Sequence, residues 1–363
     1  MAFQAYMENR LLYASYNESS FSSSNTPEVK LYIACKDGNV EEVKQILMNH
    51  PNIDIDSTDR DYEQTPFCIA CGNGHTEIVK ILVNDERVDI NKRDGDLWTP
   101  LYYACCNGHI EIVRLLLNDE RIKVKKTDDD GQTPFYIACH NGHLEIVKLL
   151  LKKFDYDEVE TDDSESEDEE TPHSVTSLNP TTMLIFIDEK RDKVNKPNVF
   201  GQTPFYITCL KGHTEVVKLL LNDERVDINR GENLKKETPL WIACRNGHIE
   251  IVKLLFNDKR VNIRTADSSG LTPFLVACQF GRIEIVKYML ASEVKLNSEL
   301  EVRIAIESAK GREKTEQSMW ENGEQFQLRK KVDRNVVELL ESFEKNPDQT
   351  ITKLKIELGF SSG

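Results

Sequence analysis

One phrase recurs along this chain at a nearly fixed interval: Thr-Pro, an apolar or aromatic pair, Ile-Ala-Cys, two variable residues, Gly-His, then Glu-Ile-Val-Lys-Leu-Leu. Its glycine falls at Gly38, Gly74, Gly108, Gly142, Gly212, Gly247 and Gly281, giving steps of 36, 34, 34, 70, 35 and 34 residues. A fixed period in this range means stacked units, none of which buries its apolar face without its neighbours. Such an architecture presents a surface rather than converging side chains on a reaction centre.

The unit from Thr133 to Leu151 shows the local physics. Thr133 can cap a helix with its hydroxyl, and Pro134 has its φ preset for a first helical turn, where no donor is needed. Phe135, Ile137, Ala138 and Cys139 make a short first helix, in which Ala and Cys allow close approach. Asn141-Gly142 ends it, because Gly accepts a left-handed backbone without steric cost. His143 to Leu151 is predicted as a second helix, apolar over more than one stripe, as a helix between neighbouring units must be. A polar, turn-rich tail such as Asn84 to Asn91 then leads into the next Thr-Pro.

Helix, tight turn, helix and hairpin-like finger, carried by Thr-Pro-Leu/Phe, Ala-Cys, Gly-His, Glu-Ile-Val-Lys and Val-Asp-Ile-Asn, resemble the ankyrin repeat. The resemblance covers residues 29–297 in seven clear copies and implies an all-α solenoid of helix-turn-helix units with fingers. One position departs from the family. Where it carries His after Thr-Pro-Leu, this chain has Cys68, Tyr102, Tyr136, Tyr206, Trp241 or Leu275, so that imidazole's hydrogen bond is not carried over.

Seven of the nine cysteines (Cys35, Cys71, Cys105, Cys139, Cys209, Cys244, Cys278) share one register position, where Cys serves as a small buried hydrophobe. Cys68 and Cys106 fall outside it, and no spacing resembles a zinc site. Unpaired cysteines in this number point to a reducing, intracellular compartment, cytoplasmic or nuclear. The N-terminal residues lack a basic start followed by an apolar stretch, so no secretory signal is expected. The longest apolar run, Met183 to Ile187, is far too short for a bilayer span.

The recurrent His75, His109, His143, His213 and His248 stand one per unit, which places them in a row; each is expected to bond local backbone. No nucleophile triad, phosphate loop or convergent carboxylate pair is present, so the chain is read as non-enzymatic and without a cofactor. A formal charge of −16 disfavours direct nucleic-acid binding. The expected partner is another protein, met by a monomer.

The irregular parts divide as follows. Residues 1–28 are expected to be a disordered arm. The 70-residue step holds either a degenerate repeat at 171–202, the favoured reading, or a disordered insertion. Residues 155–170 carry eleven acidic residues, without which the formal charge would be −5. They form either a solvated loop or an electrostatic lure for a basic partner, the latter making the chain a regulatory inhibitor whose acidic finger fills a basic site. Ser164 and Ser166, each with Glu three residues on, resemble acidophilic kinase sites. Residues 298–363 are expected to form a degenerate capping repeat, with a polar break over 312–331 and a final helix from Thr350 to Leu358.

Family geometry places the finger tips and the two residues before each Gly-His on the binding face. The candidate partner residues are therefore Tyr62, Trp98, Asp129, Asp130, His140, Phe200, Leu210, Lys235, Arg245 and Phe280, chosen because aromatic and Arg side chains dominate interface energetics.

Overall fold

The structure, a computed structural model, describes residues 26–156, 191–292, 299–313 and 323–360. The chain divides into two compact units, residues 1–189 and 190–363, and each is a stack of helices with no strand among the described residues. The expected N-terminal arm (to residue 25), most of the acidic run, residues 171–190 of the degenerate repeat, and Ser164 and Ser166 lie outside the described residues.

The described residues of unit 1 form four helix pairs: α1 (Pro27–Asp37) with α2 (Val40–Asn49), α3 (Pro66–Asn73) with α4 (Thr76–Val83), α5 (Pro100–Asn107) with α6 (Ile110–Leu117), and α7 (Pro134–Asn141) with α8 (Leu144–Tyr156). First helices pack on first helices, and second helices on second helices. Unit 2 repeats the scheme with α9 (Pro204–Lys211) and α10 (Thr214–Leu221), α11 (Pro239–Asn246) and α12 (Ile249–Asn257), and α13 (Pro273–Gln279) and α14 (Ile283–Ala291). Three further helices follow: α15 (Glu299–Glu313), α16 (Gly323–Lys345) and α17 (Pro347–Glu357). α15 packs on α13, α16 on α14 and α15, and α17 on α14 and α16.

The Thr-Pro step works as its chemistry dictates. The Thr133 hydroxyl accepts from the Tyr136 amide at 3.1 Å, with Pro134 in the first turn, and the same cap opens the first helix of every other pair. The seven register cysteines, with Cys68 and Cys106, are all buried, and none is in a disulfide. Burial pushes the Cys68 thiol up to about 12, which leaves it a protonated core residue rather than a nucleophile. The glycine ends the first helix with φ of +80° at Gly108, and a Cβ there would stand 2.8 Å from the His143 ring. Two independent constraints, backbone and ring, thus exclude any side chain.

Four expectations change. The first helix begins at Pro27, inside the expected arm, and Thr26 caps it. Its Thr-Pro lies three residues early because α1 has 11 residues where the other capped first helices have eight or seven. The second helix of the fourth pair runs to Tyr156, beyond Leu151, because Phe154 is buried and meets Phe135 edge-on at 5.4 Å. Asp155 and Tyr156 of the acidic run are therefore helical. The polar break expected over 312–331 is helical at 312–313 and 323–331, the residues of it that are described, since α16 starts at Gly323 and brings buried Val336, Val337 and Leu340 with it. α17 starts at Pro347 and seats Leu354 in the core.

Candidate functional site: fingers and first-helix face

Each finger is a loop closed by a side chain that bonds its own far end. Asp94 donates its backbone N–H to the Trp98 carbonyl at 3.1 Å, and its carboxylate accepts from the Trp98 amide at 2.8 Å. Asp59, Asp128, Asn198, Glu232 and Asp267 do the same for the residues Gln64, Gln132, Gln202, Glu237 and Leu271. The residue before each closure has positive φ: Gly131, Gly201 and Gly270 in three fingers, but Glu63, Leu97 and Lys236 in the other three. Within each unit the tips are tied to one another, Gly95 N–H to the Tyr62 carbonyl at 2.9 Å, Asn233 to Phe200 at 2.9 Å and Ser268 to Lys235 at 2.7 Å.

The position that departs from the family takes over its inter-repeat role with other chemistry. The Tyr102 hydroxyl donates to Asp128 of the next finger at 2.8 Å, the Tyr206 hydroxyl to Glu237 at 3.3 Å, and the Trp241 indole to the Leu271 carbonyl at 2.9 Å. Burial pushes the Asp128 carboxyl up to about 6, against the two hydrogen bonds that favour its charge. Burial also raises Glu237.

The histidines bond backbone, but not local backbone. His75, His109, His143 and His248 each meet the carbonyl two residues before the preceding repeat's glycine, at 2.9, 2.8, 3.0 and 3.0 Å. The Asn two residues before each His donates to that same carbonyl. In unit 2 this register turns to arginine: Arg282 Nε donates to the Arg245 carbonyl at 2.8 Å, and Arg312, just after Gly311, donates to the Gln279 carbonyl.

The candidate residues scatter over several environments. Trp98 is the correction: it is 2 % exposed, stacked against Tyr102 and Tyr103 at 4.8 and 5.2 Å, and faces the core rather than solvent. His140 is also buried, at 8 % exposure. Tyr62, Asp130, Leu210, Arg245 and Phe280 are half-buried, whereas Asp129, Phe200 and Lys235 are exposed. The structure brings Arg245 and Phe280 together, with the guanidinium 5.2 Å from the ring centroid. It also exposes two tip residues absent from the candidate set, Val199 (58 %) and Leu234 (75 %), beside Phe200 (48 %). Their signal was an apolar residue at a finger tip, where the other fingers carry mostly Asp, Ser or Gly, with half-buried Tyr62 and exposed Leu97 (40 %) as the apolar residues of unit 1.

Charge differs between the units. The fingers of unit 1 carry Asp59, Asp61, Glu63, Asp94, Asp96, Asp128, Asp129 and Asp130 against Arg60, whereas those of unit 2 put Lys235 and Lys236 beside their apolar tips. No described helix is long and apolar enough to cross a membrane, and the described residues hold no cluster of groups fit to bind a metal.

Family comparison agrees with this geometry. Residues 31–128, 173–267 and 226–300 match a family model described as ankyrin repeats (3 copies), and residues 107–151 match ankyrin repeats (many copies). These matches span more than half of the sequence, and the chain belongs to the ankyrin repeat family. Ankyrin repeats generally mediate protein–protein interaction and are generally not catalytic. A search of the curated proteins finds no match.

Proposed function

We propose that this chain is a non-enzymatic scaffold or adaptor that grips a partner protein with its finger tips and first-helix face. One observation carries the reading: Val199, Phe200 and Leu234 stand exposed together on adjacent, hydrogen-bonded finger tips, whereas the other exposed large apolar side chains of this unit, Ile304, Leu328 and Ile356, lie on its three C-terminal helices. Apolar groups held out on a rigid frame are a recognition feature rather than a stabilising one. Capture from native lysate by the intact chain and by a Phe200→Ser/Leu234→Ser variant tests it. Loss of the partner with an unchanged melting temperature is expected; equal capture would refute it.

The acidic fingers of unit 1, together with the acidic run at 155–170, favour a second reading in which a basic partner is drawn in electrostatically. Its association rate would then fall steeply with salt, and a salt-independent rate would remove this reading. Nine buried cysteines, none in a disulfide, support an intracellular location. Residues 171–202 are read as a degenerate repeat. Supporting this, the family match begins at residue 173, and Asn195 reaches both the Arg225 carbonyl and the Asp227 amide at 2.7 Å, as Asn91 and Asn229 reach their next fingers.

A further inference from the structure

The last two repeats of unit 2 and the helices that follow them gather four arginines close to one aromatic ring. Phe280 is flanked by two guanidinium groups, Arg245 at 5.2 Å and Arg312 at 5.6 Å from its ring centroid. Arg282 joins them through its bond to the Arg245 carbonyl, and Arg329 donates to the Arg312 carbonyl at 3.1 Å. Asp333, 1 % exposed, pairs with Arg312 at 3.3 Å and with Arg329 at 3.7 Å. The buried Glu237 feels the charges of both Arg245 and Lys235, the latter at 3.9 Å.

The arginines are not equally engaged. Arg312 is anchored by the Gln279 carbonyl and Asp333, and so is part of the framework. The Arg245 side chain is half-buried against the Phe280 ring and makes no hydrogen bond or ion pair among the described residues, although its charge reaches the buried Glu237. Arg282 donates through Nε alone among the described residues, which leaves its terminal nitrogens for a ligand. Burial, then the like charges of Arg312 and Arg245, hold Arg282 below its usual range.

We infer that Arg245 and Arg282, braced by Phe280 and Arg312, form a site for a phosphorylated side chain on a protein segment. The inference rests on the scaffold reading and names its ligand. A phosphate monoester carries about −1.5 to −2 charge and three acceptor oxygens, so it matches two forked guanidinium groups where a single carboxylate leaves charge over. The register supports it: Arg282 and Arg312 stand where earlier repeats use histidine, and the carbonyl bond survives that exchange while a fixed positive charge is added.

The test uses the full chain and synthetic peptide pools with random flanks around a central phosphoserine, phosphotyrosine, serine or glutamate. Retention of a phosphorylated pool over the serine and glutamate pools is expected. Arg245→Ala should weaken it roughly tenfold, with Arg245→Lys between and the melting temperature unchanged. Equal retention of all pools, no retention of any, or unchanged binding by Arg245→Ala would overturn the inference. So would displacement by inorganic phosphate at the peptide's own concentration, which would reduce the site to one for a free anion. A partner lost by the Phe200/Leu234 variant but kept by Arg245→Ala would leave the scaffold reading standing and remove this one.

Discussion

At the scale of single residues, the fingers carry two measurable costs. Lys236 has φ of +61° where Gly131, Gly201 and Gly270 stand in sister fingers. Relief of a left-handed conformation, ~1–2 kcal/mol, exceeds glycine's entropy cost of ~0.5–1 kcal/mol. Lys236→Gly is therefore expected to stabilise by up to about 1 kcal/mol in urea unfolding; destabilisation would show that the lysine side chain holds the tip. Asp128 carries the second cost. Its carboxyl is raised to about 6 in the fold, above its unfolded value, so it favours folding most at low pH and loses that contribution as pH rises through 6. Asp128→Asn, which copies Asn198 in its own finger, should flatten this part of the stability profile between pH 4 and 7. An unchanged profile would assign that pH dependence elsewhere.

Residue choice at these positions was only partly legible. Thr-Pro, the capping glycine and the core cysteines follow from elementary chemistry and stand as expected. Trp98 misled because a large aromatic beside a finger reads as exposed, and only the stacking on Tyr102 and Tyr103 shows where the ring goes. Arg282 was overlooked because its importance lies in its neighbours, which are 37 residues before it and 30 after it in sequence.

At the scale of elements, the stack is held by bonds that cross from one repeat to the next within each unit. The Asn-Asp-x-Arg tail is an example. Arg121 pairs with Asp119 at 2.7 Å and donates to the Val83 carbonyl of the preceding repeat at 2.7 Å, while Arg87 and Arg260 reach back to Pro51 and Leu221. The tail read as merely polar and turn-rich, since a period reveals which residues recur and not what they touch. The cap is more local and more predictable. Thr133→Ala should cost about 1 kcal/mol, with Thr133→Ser near neutral. Gly108→Ala should cost more, because it strains the backbone by ~1–2 kcal/mol and pushes His143 from the Cys106 carbonyl, worth about 1 kcal/mol. Thermal unfolding of the three variants ranks them; a Gly108→Ala protein as stable as the parent would contradict the role given to the ring above it.

At the scale of the molecule, a stack must be closed at its ends. We assign that task at the C-terminus to α15, α16 and α17. Leu354 is buried, Lys287 pairs with Glu357 at 2.6 Å, and Tyr288 meets Phe360 at 5.7 Å. Deletion of residues 346–363 should uncover the α14 face, raise binding of a hydrophobic dye and lower solubility. A soluble, fully folded truncate that has lost its partner would instead make α17 a docking helix. The helical character of this end was legible in its apolar spacing, but its extent was not: the polar stretch from residue 312 looks like a break because its helix α16 buries only a narrow face.

The central claim is that partners meet the fingers and first helices rather than the outer second helices. Hydrogen exchange of the chain with and without a partner captured from lysate tests it most directly. Protection gathered at residues 198–202 and 232–237 and along α9, α11 and α13 is the predicted result. Protection confined to α10, α12 and α14, with the finger tips exchanging as in the free chain, would contradict it.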